Sequence, residues 1–291
     1  MAALEQVYRS HAQAPLRHAH ALSASDSLLL MPAWDGQFIV TKLVTVMPGA
    51  AHTVQATLLV LDRASGAALA LLDGEAVTLR RTAAVSALAA RHLARPDASR
   101  LLLVGTGRLA PWMARAHCAL RPQLKRLDVW GRNAAAARAL AEALAGEGLA
   151  AQVAPDLQAA AQAADIVCCA TTALSPVVLG AWLRPGTHLD LVGAFRPDMR
   201  EVDDAAVQRA QIVVDSLPGA LAEAGDLVQP LAAGGLLQDA ICADLAGLLQ
   251  GRLRAAAPGK DLTMFKSVGM ALQDLAAARA LLGERTNLDL P

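Results

Sequence analysis

The 291-residue chain lacks the features that mark several large protein classes. It carries no excess charge: 26 Lys and Arg balance 26 Asp and Glu. Neither nucleic acid nor an anionic membrane surface is therefore expected as its main partner. Long apolar runs are missing too. The uncharged stretch 166–183 contains Thr171, Thr172, Ser175, Pro176 and Gly180, and reads as strand, loop and helix start rather than a membrane span. No basic segment followed by an apolar block opens the chain, which argues against a secretory leader. Cysteine is scarce, and Cys118, Cys168, Cys169 and Cys242 have no zinc-ligand spacing. They are expected to be reduced, buried residues of a cytoplasmic protein. His11, His18 and His20 cluster without forming a metal motif, His52 sits in a loop, and serine-nucleophile signatures are absent. No metal is expected.

What is present is a hydrophobic fraction of 55 %, inflated by alanine, and a change of pattern near residue 98. Up to residue 97 the chain suggests strands over 27–32, 37–47, 53–62 and 67–73. A turn at Arg63-Ala64-Ser65-Gly66 joins the last two, and a second at Gly74-Glu75 leads to Val77-Thr78-Leu79. An alanine-rich helix then runs over 82–93. That is an antiparallel sheet with a helix.

From Arg100 strand and helix alternate: strands at 101–104, 127–130, 166–170, 189–192 and 212–214, helices at 110–119, 134–144 and 157–163. This alternation means a parallel sheet with crossover helices. After Gly219 helical stretches are expected to the end, at 220–223, 245–250 and 265–282, the last returning to the first domain. The fold expected is α/β. A Rossmann-type domain over 98–261 accompanies a discontinuous α+β domain, 1–97 with 262–291.

The apolar run Leu101-Leu102-Leu103-Val104 passes directly into Gly105-Thr106-Gly107-Arg108-Leu109-Ala110. After a buried parallel strand, the first glycine permits a tight turn and the second admits a pyrophosphate. A small third residue then lets helix and strand pack closely. The sequence thus points to a dinucleotide site. At the end of the next strand stands Val129-Trp130-Gly131-Arg132-Asn133, without the carboxylate that would hold the ribose of NAD. A guanidinium there suits a 2′-phosphate and favours NADP(H), with NAD(H) possible; a solvated loop arginine would look the same.

Lys42 lies inside the β-branched run Val40-Thr41-Lys42-Leu43-Val44, so it faces either solvent or a ligand. Arg81 precedes the helix expected from Thr82, with Thr82 as a candidate N-cap, and can hold a carboxylate through two parallel bonds. Arg17 is weaker evidence when read alone.

With these residues in view, the chain resembles the ornithine cyclodeaminase/mu-crystallin family over nearly its whole length. The likeness rests on blocks in order: Lys42 in TKLVT, Asp73-Gly74, Arg81 in RTAAVSALA, VGTGRLA, WGRN, Pro185 to His188, and VGAFRPDMRE with Asp198 and Glu201. Val214-Asp215-Ser216, Ala224-Gly225-Asp226 and FKSVGMALQD complete it. The resemblance implies a homodimer acting on small α-amino or α-imino acids with a nicotinamide cofactor. It implies that Arg17, Lys42 and Arg81 hold the substrate carboxylate. It places cofactor contacts on Gly105, Thr106, Gly107, Arg108, Leu109, Ala110, Arg132, Asn133, Thr171, Val192 and Ser267, and also on Thr53.

Three positions depart from the cyclodeaminase pattern. Phe195 stands where those enzymes have an Asp that handles the amino group, Leu109 replaces a Gln, and Leu29-Leu30 precede Met31-Pro32 without an acid. Phenylalanine can neither take a proton nor pair with an ammonium. The departures point toward reductases of cyclic ketimines such as pyrroline-2-carboxylate, with Lys42 as anchor or proton donor and Phe195 packing on the substrate ring. Ornithine cyclodeaminase, an alanine-type dehydrogenase and a non-catalytic binder of NADPH are the alternatives.

Overall fold

The computed structural model describes residues 1–283 and has an α/β fold in two compact units. The first unit comprises Met1–Arg81 and the segment from Met270 onward. It opens with α1 (Ala2–Arg9) and then forms an antiparallel meander of five strands in sequential order: β1 (His18–Ala21), β2 (Ser27–Trp34), β3 (Phe38–Val46), β4 (Val54–Asp62) and β5 (Ala68–Asp73). Strand alternation sends Phe38, Val40, Lys42 and Val44 to one face of β3, and all four are buried. Register aligns Met31 and Leu58 with Lys42 from the two neighbouring strands. The final helix and α1 pack together, and the final helix also lies against β2 and β3.

Helix α2 (Gly74–Leu93) follows β5 at once, and its residues from Thr82 onward group with the second unit. Asp73 starts it, its Oδ1 accepting from the backbone N–H groups of Glu75 and Ala76. The sequence reading of Gly74-Glu75 as a turn before Val77-Thr78-Leu79, with Thr82 as N-cap, is therefore corrected. The aspartate just before Gly74 captures the first N–H groups, and Thr82 is interior to the helix.

The second unit, Thr82–Gly269, is built on eight parallel strands. In chain order it contains β6 (Arg100–Val104), α3 (Ala110–Leu120), β7 (Arg126–Trp130), α4 (Ala134–Gly146), β8 (Ala151–Val153), α5 (Leu157–Ala163), β9 (Ile166–Cys169) and β10 (His188–Leu191). After these come α6 (Asp204–Arg209), β11 (Ala210–Val214), α7 (Leu217–Glu223), α8 (Gly225–Ala232), β12 (Ile241–Asp244), α9 (Leu245–Leu249) and β13 (Leu262–Lys266). The remaining helix, α10 (Ala271–Leu282), belongs to the first unit. Sheet order is β12-β11-β13-β10-β9-β6-β7-β8. The chain moves outward from β6 to β8, then returns to lay β9 on the other side of β6. This reversal is a switch point, where the carboxyl ends of the strands leave a crevice for a ligand.

The expected helix over 265–282 is corrected by β13, which pairs between β10 and β11. A short apolar run buried on both sides carries no period that separates strand from helix. The two compact units divide at 81/82 and 269/270, whereas the sequence pattern places the domain divisions at 97/98 and 261/262. Residues 1–26, which carry no clear signal in the sequence, contain α1 and β1.

Candidate functional site

The turn after β6 is shaped by close backbone approach. Gly105 has φ +118°, and a Cβ there would lie 2.5 Å from the carbonyl oxygen of Ala170. Its N–H donates to the carbonyl of Trp130 at 2.9 Å, tying the turn to β7. Gly107 differs, because a Cβ there would meet nothing within 4 Å. Packing inside the chain does not require that glycine, and the space beside its backbone is open. Ala110, fully buried, opens α3, and Leu109 at its N-cap gives no side-chain bond. The first-turn N–H groups and the positive end of the helix dipole thus have no side-chain acceptor at the N-cap, an arrangement suited to a pyrophosphate. Arg108 is exposed and Leu109 half-buried beside it.

A cavity of about 270 Å³ follows this turn, lined by Gly105, Thr106, Arg132, Asn133 and Thr171 among others. Thr106 packs its methyl against Gly131, where a Cβ would come within 2.6 Å. Arg132 is exposed at the end of β7. The side chain of Asn133 caps α4, accepting from the N–H of Ala136 at 3.1 Å, so this residue also fixes the helix start. Asp128, inside β7, is occupied by Arg126 and by Gln152 of the neighbouring strand.

On the other side of β6, three residues expected to touch the cofactor sit at or just beyond strand ends. Thr171, half-buried after β9, donates from its N–H and its hydroxyl to Oε1 of Glu201, at 2.8 and 2.9 Å. Val192 is buried after β10. Ser267, buried after β13, donates to Asp215 at 2.9 Å. Phe195 follows β10 and is 43 % exposed.

In the first unit, Lys42 is 2 % exposed, so of the two readings left open by the sequence the solvent-facing one falls. Its Nζ lies 3.1 and 3.0 Å from the two carboxylate oxygens of Asp274 on α10 and 3.3 Å from the hydroxyl of Thr78 on α2. About one helical turn after Thr78, Arg81 donates its Nε to Asp274 at 3.3 Å and Nη1 to the amide oxygen of Gln273. Two buried cations thus share one carboxylate. Burial first, then the charge of Arg81, and in smaller part that of half-buried Arg17, lower the Lys42 pKa to about 8 against the opposing pull of Asp274. The three cations expected to hold a carboxylate are therefore close enough to feel one another. Among the described residues, Asp274 is the one carboxylate that Lys42 and Arg81 share. On β2, Leu29 pairs with Val44 and Leu30 with Leu43, so no acid enters the cluster from that strand. Thr53 lies in the first unit, exposed between β3 and β4, outside both groups.

Asp274 and Gln273 carry no role in the sequence reading, and neither do Thr78, Glu201, Asp226 or Lys266. The available signals were a carboxylate on an otherwise apolar helix and a lysine closing an apolar strand. Neither names a partner. Among the described residues one group has metal-like donor spacing: His117, Cys168 and Asp190, all buried. His117 Nε2 lies 2.7 Å from Asp190 Oδ2, which makes this a hydrogen-bonded pair within the core.

The profile of the ornithine cyclodeaminase/mu-crystallin family matches residues 1–287. The Δ1-pyrroline-2-carboxylate reductase of Paracoccus denitrificans is 40 % identical over 285 residues, which cover 95 % of this chain and 90 % of the relative. The structure of the Thermococcus litoralis Δ1-pyrroline-2-carboxylate reductase with NADH and L-proline superposes with a TM-score of 0.90 at 31 % identity, covering 99 % of this chain and 94 % of the other. An archaeal alanine dehydrogenase dimer with bound NAD superposes with a TM-score of 0.89 at 26 % identity, covering 98 % of this chain and 90 % of the other. The glycine turn, the cationic cluster and these likenesses agree: the chain belongs to the ornithine cyclodeaminase/mu-crystallin family.

Proposed function

We propose that the chain reduces a small cyclic ketimine acid of the pyrroline-2-carboxylate kind to the corresponding cyclic amino acid. Membership of the family makes it a nicotinamide-dependent oxidoreductase acting on C–N bonds, and the substrate and the role of each residue are our reading. The observation that carries it is the pairing of Lys42 and Arg81 on the single carboxylate of Asp274. One buried positive charge is left to be matched, and a substrate carboxylate supplies it. Arg81, Lys42 and Arg17 hold that carboxylate and so hold the C=N carbon in one place, where reduction depends chiefly on positioning. The bound dinucleotide supplies a hydride. Lys42, with a pKa of about 8, is acid enough near neutral pH to give the imine nitrogen its proton. Phe195 offers an apolar ring to the substrate and no base, which speaks against removal of ammonia from ornithine.

Gly105, Thr106, Gly107 and the start of α3 hold the pyrophosphate, with Arg132 beside a 2′-phosphate. The test is a spectrophotometric panel: NADPH and NADH, each with pyrroline-2-carboxylate, pyruvate with ammonia, or ornithine. Cofactor oxidation with the cyclic imine is expected. Ammonia and proline from ornithine without net cofactor change would replace this reading with a cyclodeaminase, and binding without turnover would leave a ligand-binding protein.

We also read the protein as a homodimer. The face of the meander opposite Lys42 carries Leu43, 36 % exposed, and Leu71, 71 % exposed, a surface suited to a second copy. A monomer mass in sedimentation would overturn it.

A further inference from the structure

The second unit contains a buried charge cluster that neither the glycine turn nor the substrate anchor uses. Lys266, the last residue of β13, has its Nζ 3.0 Å from Asp226 Oδ2 and 4.0 Å from Glu201 Oε2, with all three side chains fully buried. The same Nζ donates to the carbonyl of Gly193. Asp226 Oδ1 accepts from the N–H groups of Glu201 and Val202, at 2.7 and 3.1 Å. Glu201 Oε1 takes both bonds from Thr171. The cluster thus reaches the segments that follow β9 and β10 and the start of α8.

Those segments have unusual backbone. Ala194 has φ +46°, the only positive φ outside glycine among the described residues. This left-handed region is strained for an alanine and persists only where neighbours impose it. Here Gly225 N–H donates to the Ala194 carbonyl at 3.0 Å, and Lys266 holds the preceding carbonyl. Gly193 permits the approach, since a Cβ there would lie 2.2 Å from the Thr171 carbonyl and 2.3 Å from Glu201 Oε1.

Topology says what these segments face. The pyrophosphate turn follows β6, and Arg132 follows β7 on one side of it, which takes the adenosine half of an extended dinucleotide. The nicotinamide half then runs the other way, over the ends of β9 and β10. We propose that Lys266, Glu201 and Asp226 form a buried clamp that sets the backbone of segments 170–172 and 192–195, and through it the nicotinamide half of the dinucleotide site. They are positioning residues and touch no reacting atom. The proposal rests on the dinucleotide reading given above.

Glu201 is the member to change, because its removal leaves Lys266 and Asp226 as a balanced pair. The experiment is calorimetric titration of wild-type and Glu201→Ala protein with NADH and with ADP-ribose, which lacks the nicotinamide ring. NADH binding is expected to weaken by about tenfold or more in the variant. ADP-ribose keeps the adenosine on the far side of β6 and the pyrophosphate and lacks only the ring, and its binding is expected to stay within about twofold. Equal losses for both ligands, or unchanged NADH binding in the folded variant, would overturn the clamp. If Glu201→Ala does not fold, Glu201→Gln keeps an acceptor for Thr171 and replaces only the carboxyl group that faces Lys266. A smaller loss with the same asymmetry is expected there, and no asymmetry overturns the proposal. Wild-type protein that binds neither ligand would instead defeat the dinucleotide reading and the clamp with it, a result unlike wild-type binding with a symmetric variant.

Discussion

Two buried lysines, one in each unit, have opposite surroundings. Lys42 shares a single carboxylate, Asp274, with Arg81, so two cations face one anion. Lys266 faces two carboxylates, Glu201 and Asp226, so one cation meets two anions. Burial penalises ions in both places, yet the remaining charge has opposite sign. At Lys42 the imbalance lowers the lysine to about 8, with burial the main cause and Arg81 second. At Lys266 the strain falls on an acid: Glu201 rises to about 8, with burial first, Lys266 opposing and Asp226 adding. The acid cluster relieves its surplus by taking up a proton, and backbone N–H groups already bond to both of its carboxylates. The cationic cluster can lose a proton from Lys42 only, and is better satisfied by an anion from outside. The two buried lysines therefore differ in the sign of the local imbalance, positive at Lys42 and negative at Lys266.

The largest effect that would break this contrast is catalytic. Lys42→Ala should lower kcat/KM for pyrroline-2-carboxylate by on the order of 10³-fold, about 4 kcal/mol of lost anchoring, with unchanged circular dichroism. Normal turnover would remove Lys42 from the site. Next comes stability. Lys266→Met strands two buried carboxylates and should cost about 3–5 kcal/mol, a fall in Tm of roughly 10 °C. Lys42→Met leaves Asp274 paired with Arg81 and should shift Tm by no more than about 3 °C. Similar losses in both would show that the sign of the imbalance does not matter.

The pH dependence sharpens the same point. Lys42 is protonated below about 8, so kcat/KM should be high there and fall as pH rises through that value. Asp274→Asn removes the neighbour that raises the lysine pKa, and the fall should move to lower pH by roughly one unit. A fall that stays in place assigns it to another group. The smallest effect concerns the cofactor: Arg132→Ala should weaken NADPH about tenfold and leave NADH within about twofold, read from Kd values. Equal change for both would show that Arg132 does not meet the 2′-phosphate.

Legibility in the sequence followed the distance over which each feature is built. The glycine turn is six consecutive residues after an apolar strand, and Gly105 has the positive φ and the close approach to Ala170 that such a turn requires. The alternation from Arg100 onward contained the parallel sheet, apart from β12 and β13. Arg17, Lys42 and Arg81 entered as candidates because of the family resemblance. Their own context left Lys42 undecided between solvent and ligand. Leu262 to Lys266 was read as loop and helix start, which hid the clamp lysine.

By itself, the sequence determined the α/β class and the glycine turn after an apolar strand, and its ordered blocks supplied Arg17, Lys42 and Arg81 as candidates, because each depends on local pattern or on blocks that occur in a fixed order. Tertiary structure alone decided the charge partners. Asp274 lies 232 residues from Lys42, and Glu201, Asp226 and Lys266 come from a loop, a helix start and a strand end. Such pairings are settled by which side chains are buried together, and the cost of burying a charge without a partner is a property of the folded chain.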